Sequence, residues 1–187
     1  MAVLPHFREF NVWLKACDCP NIPSATISKL YRAHARHRVA KRFRDVRIHD
    51  ASDALLRGYS VGIRTFLCYS AAEAMGAAIE KYVSRWTIHD ESIAPALRRI
   101  AEPLRDRTDV LKGTARGDLI KFVDREHDNV RVVATAFRHL VAHGDFTPTG
   151  TGMMTVAGAN AVLRLGNLML IESERQFAVW FTRISGA

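Results

Sequence analysis

Three cysteines, Cys17, Cys19 and Cys68, are all that 187 residues contain. An odd number with no framework of pairs argues against a disulfide scaffold and for reduced thiols in a cytoplasm. Cys17-x-Cys19 is not a zinc spacing and no second pair completes it, so no metal is expected; nor is a cofactor. Cys68 lies among apolar residues and reads as a small buried hydrophobe. The chain also lacks any run of about 18 uninterrupted apolar residues, so no membrane span is expected. Pro5, His6, Arg8 and Glu9 arrive too early for a secretory signal. No segment alternates convincingly at period two, Met153 to Ala157 being too short, so no sheet is expected.

What is present suits a globular protein. Hydrophobic residues make up 48% of the chain, enough for a sizeable core, and the length fits one domain or one domain with an appendage. The net charge of +8 is unevenly placed. Between Lys29 and Arg47 stand eight bases and one acid, Asp45, leaving +7 there and +1 for the remainder. Arg36, Arg38, Lys41, Arg42 and Arg44 form the densest part. That is the electrostatic footprint of a nucleic-acid contact, or a solvated face paired with acids elsewhere in the fold. A membrane-surface helix is weaker, because the apolar face is thin.

Helical periodicity divides the chain. Phe7 to Ala16 is a short amphipathic helix with Phe7, Phe10 and Trp13 or Leu14 on one face, and Cys17 to Pro23 is a breaker. Ser24 is a plausible N-cap for the basic helix, whose stripe is Ala35, Val39, Phe43 and Val46. Asp50 or Ser52 caps a helix running to about Arg85, which Gly58 or Gly62 bends or splits. Its small residues, Gly62, Ser70, Ala71, Ala74, Gly76 and Ala77, admit another helix closely. A shorter helix follows Asp90, with Pro95 in its first turn and Pro103 at its end. Asp118 to Arg125 forms another. After a Thr- and Gly-rich loop, Thr155 caps a last helix reaching about Ile184. There Val156, Leu163, Leu170, Phe177 and Ile184 recur every seventh residue, with the mostly small Ala159, Gly166, Ser173 and Trp180 three after the first four. The expected architecture is an all-α antiparallel bundle of four to six helices, comprising a basic N-terminal helical arm (residues 1–50) and a bundle domain (residues 51–187).

The most informative stretch is Arg131 to Phe146, RVVATAFRHLVAHGDF. It reads as a helix starting near His127 or Asp128, apolar at Val132, Val133, Ala136, Leu140 and Val141, with Gly144 as its stop. Arg138, His139 and His143 cluster at its end. His139 and His143 have the i, i+4 spacing of a metal pair, but the H-E-x-x-H glutamate is replaced by Leu140 and no third ligand is evident. A cationic last turn also simply favours the helix dipole, and on spacing alone that capping reading leads.

Arg138-His139-Leu140-Val141-Ala142-His143 fits an R-x4-H motif with a polar residue directly after the arginine. Together with the Ser/Ala-rich turn and Glu73 in GIRTFLCYSAAEAM, it resembles the signature of HEPN domains, helical bundles found in many RNA-cleaving toxins and defence proteins. The resemblance spans roughly Ala51 to Ala187; the basic arm, Asp128 and Asp145 lie outside it. It implies an HEPN-like fold and a metal-independent endoribonuclease in which the ribose 2′-hydroxyl attacks its own phosphodiester. His143 would then move protons, Arg138 would clamp the phosphate, His139 would orient the site or contact the RNA backbone, and Glu73 would position Arg138. It implies RNA as substrate and a homodimer joining two motifs in one cleft. An antitoxin or regulatory protein is a further partner, and no membrane is involved. On an ideal helix Arg138 and His143 lie roughly 140° apart, which favours such a composite site. The long C-terminal seam or the small-residue helix would supply the dimer contact. The alternative is a non-catalytic module that binds RNA or nucleotide, or acts in oligomeric interaction.

Overall fold

Two hydroxyl caps set the starts of the longest helices. The computed structural model describes residues 4–16, 22–107 and 109–186. Ser52 accepts from the Leu55 amide and opens α3 (Asp53–Ala78), while Thr155 accepts from the Gly158 amide and opens α7 (Val156–Ser185). The other helices are α1 (Phe7–Ala16), α2 (Ser24–Arg42), α4 (Ala94–Ala101), α5 (Gly113–Val123) and α6 (Arg131–Ala142). Seven α-helices and two 3-10 turns, with no strand among the described residues, make an all-α helical bundle. The helix count exceeds the expected four to six because α1 and α2 join the bundle. Cys17 and Cys19 lie outside the described residues.

The centre of the bundle is the α3–α7 pair. Gly166 lets α7 approach so closely that an added Cβ would lie 3.2 Å from Thr65 Oγ1 and 3.3 Å from Cys68 Sγ. Thr65 donates to the Val162 carbonyl at 3.0 Å, and Arg64 to Asn167 Oδ1 at 3.1 Å. The small row of α7 is covered throughout, at Ala159, Gly166, Ser173 and Trp180, while the larger row is buried at Leu170 and Phe177 and exposed only at Val156. The α7 seam expected to serve a dimer packs at Gly166 on Thr65 and Cys68 of α3, within one chain. Arg57 reaches the Met154 carbonyl at the start of both helices, and Met75 and Ala78 cluster with Phe177 and Trp180 towards their ends. The pair thus runs parallel, made possible by the long excursion between them, while α2 runs antiparallel to both.

Several helix expectations are corrected. Gly58 and Gly62 do not split α3. They admit the 146–148 loop, since a Cβ at Gly62 would fall 2.0 Å from the Phe146 ring and one at Gly58 2.5 Å from Pro148. Helix α3 stops at Ala78 rather than Arg85 because the chain folds back over Gly76, the Lys81 amide bonding the Gly76 carbonyl at 2.8 Å. The Pro23 carbonyl, not the Ser24 side chain, begins α2 by accepting from the Thr26 and Ile27 amides. The buried face of α2 is Leu30, Ala33, His37 and Ala40, whereas the expected stripe faces outward, with Ala35 and Val39 exposed. Helix α5 begins five residues early, at Gly113, and α6 begins at Arg131 because Arg125 takes a positive φ of 65°. Pro95 sits in the first turn of α4, and beyond Ala101 the Pro103 segment tightens into a 3-10 turn.

Two apolar clusters stabilise these elements. The larger joins α3, α4, α5, α6 and α7 around Leu97, Leu119, Phe122, Val133, Phe137, Leu165 and Met169. The smaller is aromatic and fixes α1 to the end of α7: Phe10 packs edge-on to Phe177 and Phe181 at centroid distances of 6.0 and 5.9 Å. Cys68 is fully buried, and burial raises its thiol pKa to about 11, as suits a small core hydrophobe.

Candidate functional site

Helix α6 buries Val132, Val133, Ala134, Ala136, Phe137 and Leu140 in the core and turns its polar groups toward the end of α3 and the N-terminal half of α5. Its C-terminus closes in a Schellman arrangement: the Gly144 amide donates to the Val141 carbonyl at 3.2 Å and the Asp145 amide to that of Leu140 at 2.9 Å. Gly144 takes φ +75°, the left-handed conformation its lack of a Cβ permits. His143 is the cap residue itself, exposed, with its amide bonded to the His139 carbonyl at 3.0 Å.

Three polar side chains gather there with a fourth from α3. Arg138 Nη2 lies 3.7 Å from Glu73 Oε1, an ion pair between half-exposed partners. His139 and His143 stand with their rings within 7° of parallel and centroids 6.5 Å apart. His139 is half-buried, and its pKa is lowered chiefly by burial, then by the charges of Arg138 and His143, with Glu73 opposing. His139 therefore sits between the two residues of the R-x4-H pair and feels both. A neutral imidazole, an exposed imidazole and a carboxylate-steadied guanidinium can together move protons and hold an anionic group. Of the acids outside the motif, Asp145 lies 3.6 Å from Arg107, and Asp128 pairs with Arg98.

The basic residues of α2 divide. Lys41 is bound to Glu174 at 2.6 Å, and the same carboxylate oxygen meets His37 at 2.9 Å. Burial pushes the Glu174 carboxyl up, but the hydrogen bonds and charges of His37 and Lys41 outweigh it and hold it below the ordinary range. Lys41 thus ties α2 to α7 through Glu174, with its side chain still about one-third exposed (34%). Arg36, Arg42 and Arg44 are exposed, Arg38 is half-buried, and none of the four forms an ion pair among the described residues. Ala35, Arg38, Val39, Arg42 and Phe43 line a surface hollow of about 400 Å³, so the expected stripe forms an apolar floor between arginines.

One pair was not legible as functional. Arg131 looks like the mere start of an apolar helix, yet it is buried and shares a face with Thr135 and His139 at i, i+4 and i+8. Burial lowers its pKa, opposed by Tyr69 and Asp118. The only sequence signal was that spacing. Asp118, on α5, had none.

Among the described residues no group of three or more His, Cys, Asp or Glu could hold a metal, and no helix is long and apolar enough to cross a membrane. Comparison with family models, with curated proteins and with solved structures yields no match to this chain.

Proposed function

We propose that the chain is a metal-independent endoribonuclease of the HEPN type, with its site at the end of α6. The observation that carries this reading is the gathering of Arg138, His139, His143 and Glu73, with the His139 pKa lowered by burial and by Arg138 beside it. His139 takes the proton from the ribose 2′-hydroxyl, the O2′–P bond forms, and the P–O5′ bond breaks. His143 gives a proton to the departing O5′, leaving a 2′,3′-cyclic phosphate and a 5′-hydroxyl. Arg138, steadied by Glu73, neutralises charge on the phosphorane-like transition state. The hollow on α2 with Arg36, Arg38, Arg42 and Arg44 supplies the phosphate-tracking surface. A toxin or defence role in the cytoplasm, restrained by an antitoxin or regulatory partner, follows from the same resemblance.

The exposed position of His143 leaves room for a second copy, so a homodimer with two such sets in one cleft belongs to the proposal. The experiment is incubation of purified protein with single-stranded RNA in EDTA. Cleavage that His143→Ala abolishes while RNA binding persists supports the reading. No cleavage between about pH 5 and 9 overturns it. The second reading, a module that binds RNA without turnover, has one observation on its side: His143 also caps α6, where a cationic group interacts favourably with the helix dipole without any chemistry.

A further inference from the structure

Beside His139 lies a half-open cavity of about 280 Å³ between α3, α5 and α6, lined by Tyr69, Ser84, Asp118, Arg131, Thr135 and His139. The Arg131 side chain is 7% exposed. Its Nε donates to the Trp86 carbonyl at 2.9 Å and its Nη1 to the Thr135 hydroxyl at 3.1 Å. The remaining nitrogen, Nη2, lies 3.8 Å from Asp118 Oδ2, too far for a hydrogen bond. Neither that nitrogen nor the Asp118 carboxylate has another hydrogen bond among the described residues. A buried guanidinium is ordinarily met directly by its carboxylate. Here donor and acceptor stand side by side on one cavity wall, held just apart.

The charges of this pair cancel, and His139 is held neutral, so the cavity does not call for an ion. It calls for a neutral planar group with an acceptor next to a donor. We infer that the cavity is a nucleobase subsite for the lactam edge of guanine or uracil, the base carbonyl accepting from Arg131 Nη2 and the adjacent ring N–H donating to Asp118. With the ribose directed at the imidazoles of α6, adenine and cytosine present the reverse pattern, an amine toward the guanidinium and a ring lone pair toward the carboxylate, and turning the base over to match would carry the ribose away from them. Tyr69 supplies an aromatic wall. His139 belongs both to this cavity and to the α6 cluster, so a base held here would place its own nucleotide beside the proton-transferring imidazoles. The choice of a nucleobase over other lactams rests on the ribonuclease reading.

The test is calorimetric titration of the full chain with the 5′-monophosphates of guanosine, uridine, adenosine and cytidine. Guanosine or uridine monophosphate is expected to bind about tenfold tighter than the other two. Asp118 is partly exposed, so Asp118→Ala should keep the fold, checked by circular dichroism, and reduce the preference to within about twofold. Equal binding of all four, binding of none at millimolar concentration, or a preference that survives Asp118→Ala overturns the inference. Base discrimination without RNA cleavage overturns the nuclease reading alone, and cleavage without base discrimination overturns the base subsite alone.

Discussion

His139 illustrates how burial reassigns a residue. In the sequence it is the middle member of Arg138-His139-x3-His143, to which the resemblance assigns only orientation. In the fold it is half-buried, and burial, then Arg138 and His143 beside it, depress its pKa. His139→Ala and His143→Ala are each expected to lower single-turnover RNA cleavage by about 10²–10⁴-fold with binding retained, measured on a labelled oligonucleotide in EDTA. His34 is depressed in the same direction by burial and by His37 and Arg38, and it stacks on Phe7 at 4.0 Å. Both histidines bind a proton more weakly in the fold than in the unfolded chain, where the value is about 6.5. Stability is therefore full above that pH and falls as pH drops through it towards the folded values. Urea midpoints should decline from pH 7 to pH 5, and His34→Phe should flatten the decline. A wild-type midpoint independent of pH over that range would contradict it.

At the scale of elements, the glycines separate steric from conformational demands. Gly62 has the Phe146 ring where a Cβ would sit, whereas nothing lies within 4 Å of a Cβ at Gly144, whose constraint is its positive φ. Gly62→Ala is expected to lower stability by about 1–3 kcal/mol through overpacking. Gly144→Ala should lower it by about 1–2 kcal/mol through left-handed strain. Urea denaturation measures both, and only Gly62→Ala should also disturb Phe146, readable in its aromatic NMR signals. The start of α7 at Thr155, its heptad rows and the stop at Gly144 were all legible, because a cap, a period and a left-handed glycine are local properties. The end of α3 was not: Ile79 to Arg85 continue a helix-compatible pattern, and only the fold-back onto Gly76 turns them aside. The outward turn of Ala35 and Val39 was equally hidden, because α2 buries a small, partly polar face, Leu30, Ala33, His37 and Ala40, that no hydropathy stripe marks.

For the whole molecule, the question is how the basic charge is used. The sequence offered two readings of the Lys29–Arg47 excess, and the fold divides them among residues. Lys41 is consumed by Glu174, while Arg36, Arg42 and Arg44 stay exposed. Replacing these three arginines with alanine is expected to weaken single-stranded RNA binding and to lower the slope of log affinity against log salt by about 2. Lys41→Ala should leave that slope nearly unchanged and reduce stability instead, measured by fluorescence anisotropy and urea unfolding. An unchanged slope in the triple variant would remove α2 from the RNA surface. Light scattering tests the two-copy cleft, and a strict monomer that still cuts RNA would exclude it.

Sequence alone determined the all-helical class, the Thr155 cap of the longest helix, the buried character of Cys68 and the clustering of Arg138, His139 and His143 at one helix end. These follow from periodicity, side-chain chemistry and spacing, which act over a few residues. Tertiary structure decided that α3 and α7 bury their small faces against each other, that Glu73 reaches Arg138, and that Arg131 and Asp118 face one cavity. Each of those is a meeting of residues from different helices, set by how closely small side chains let the helices approach.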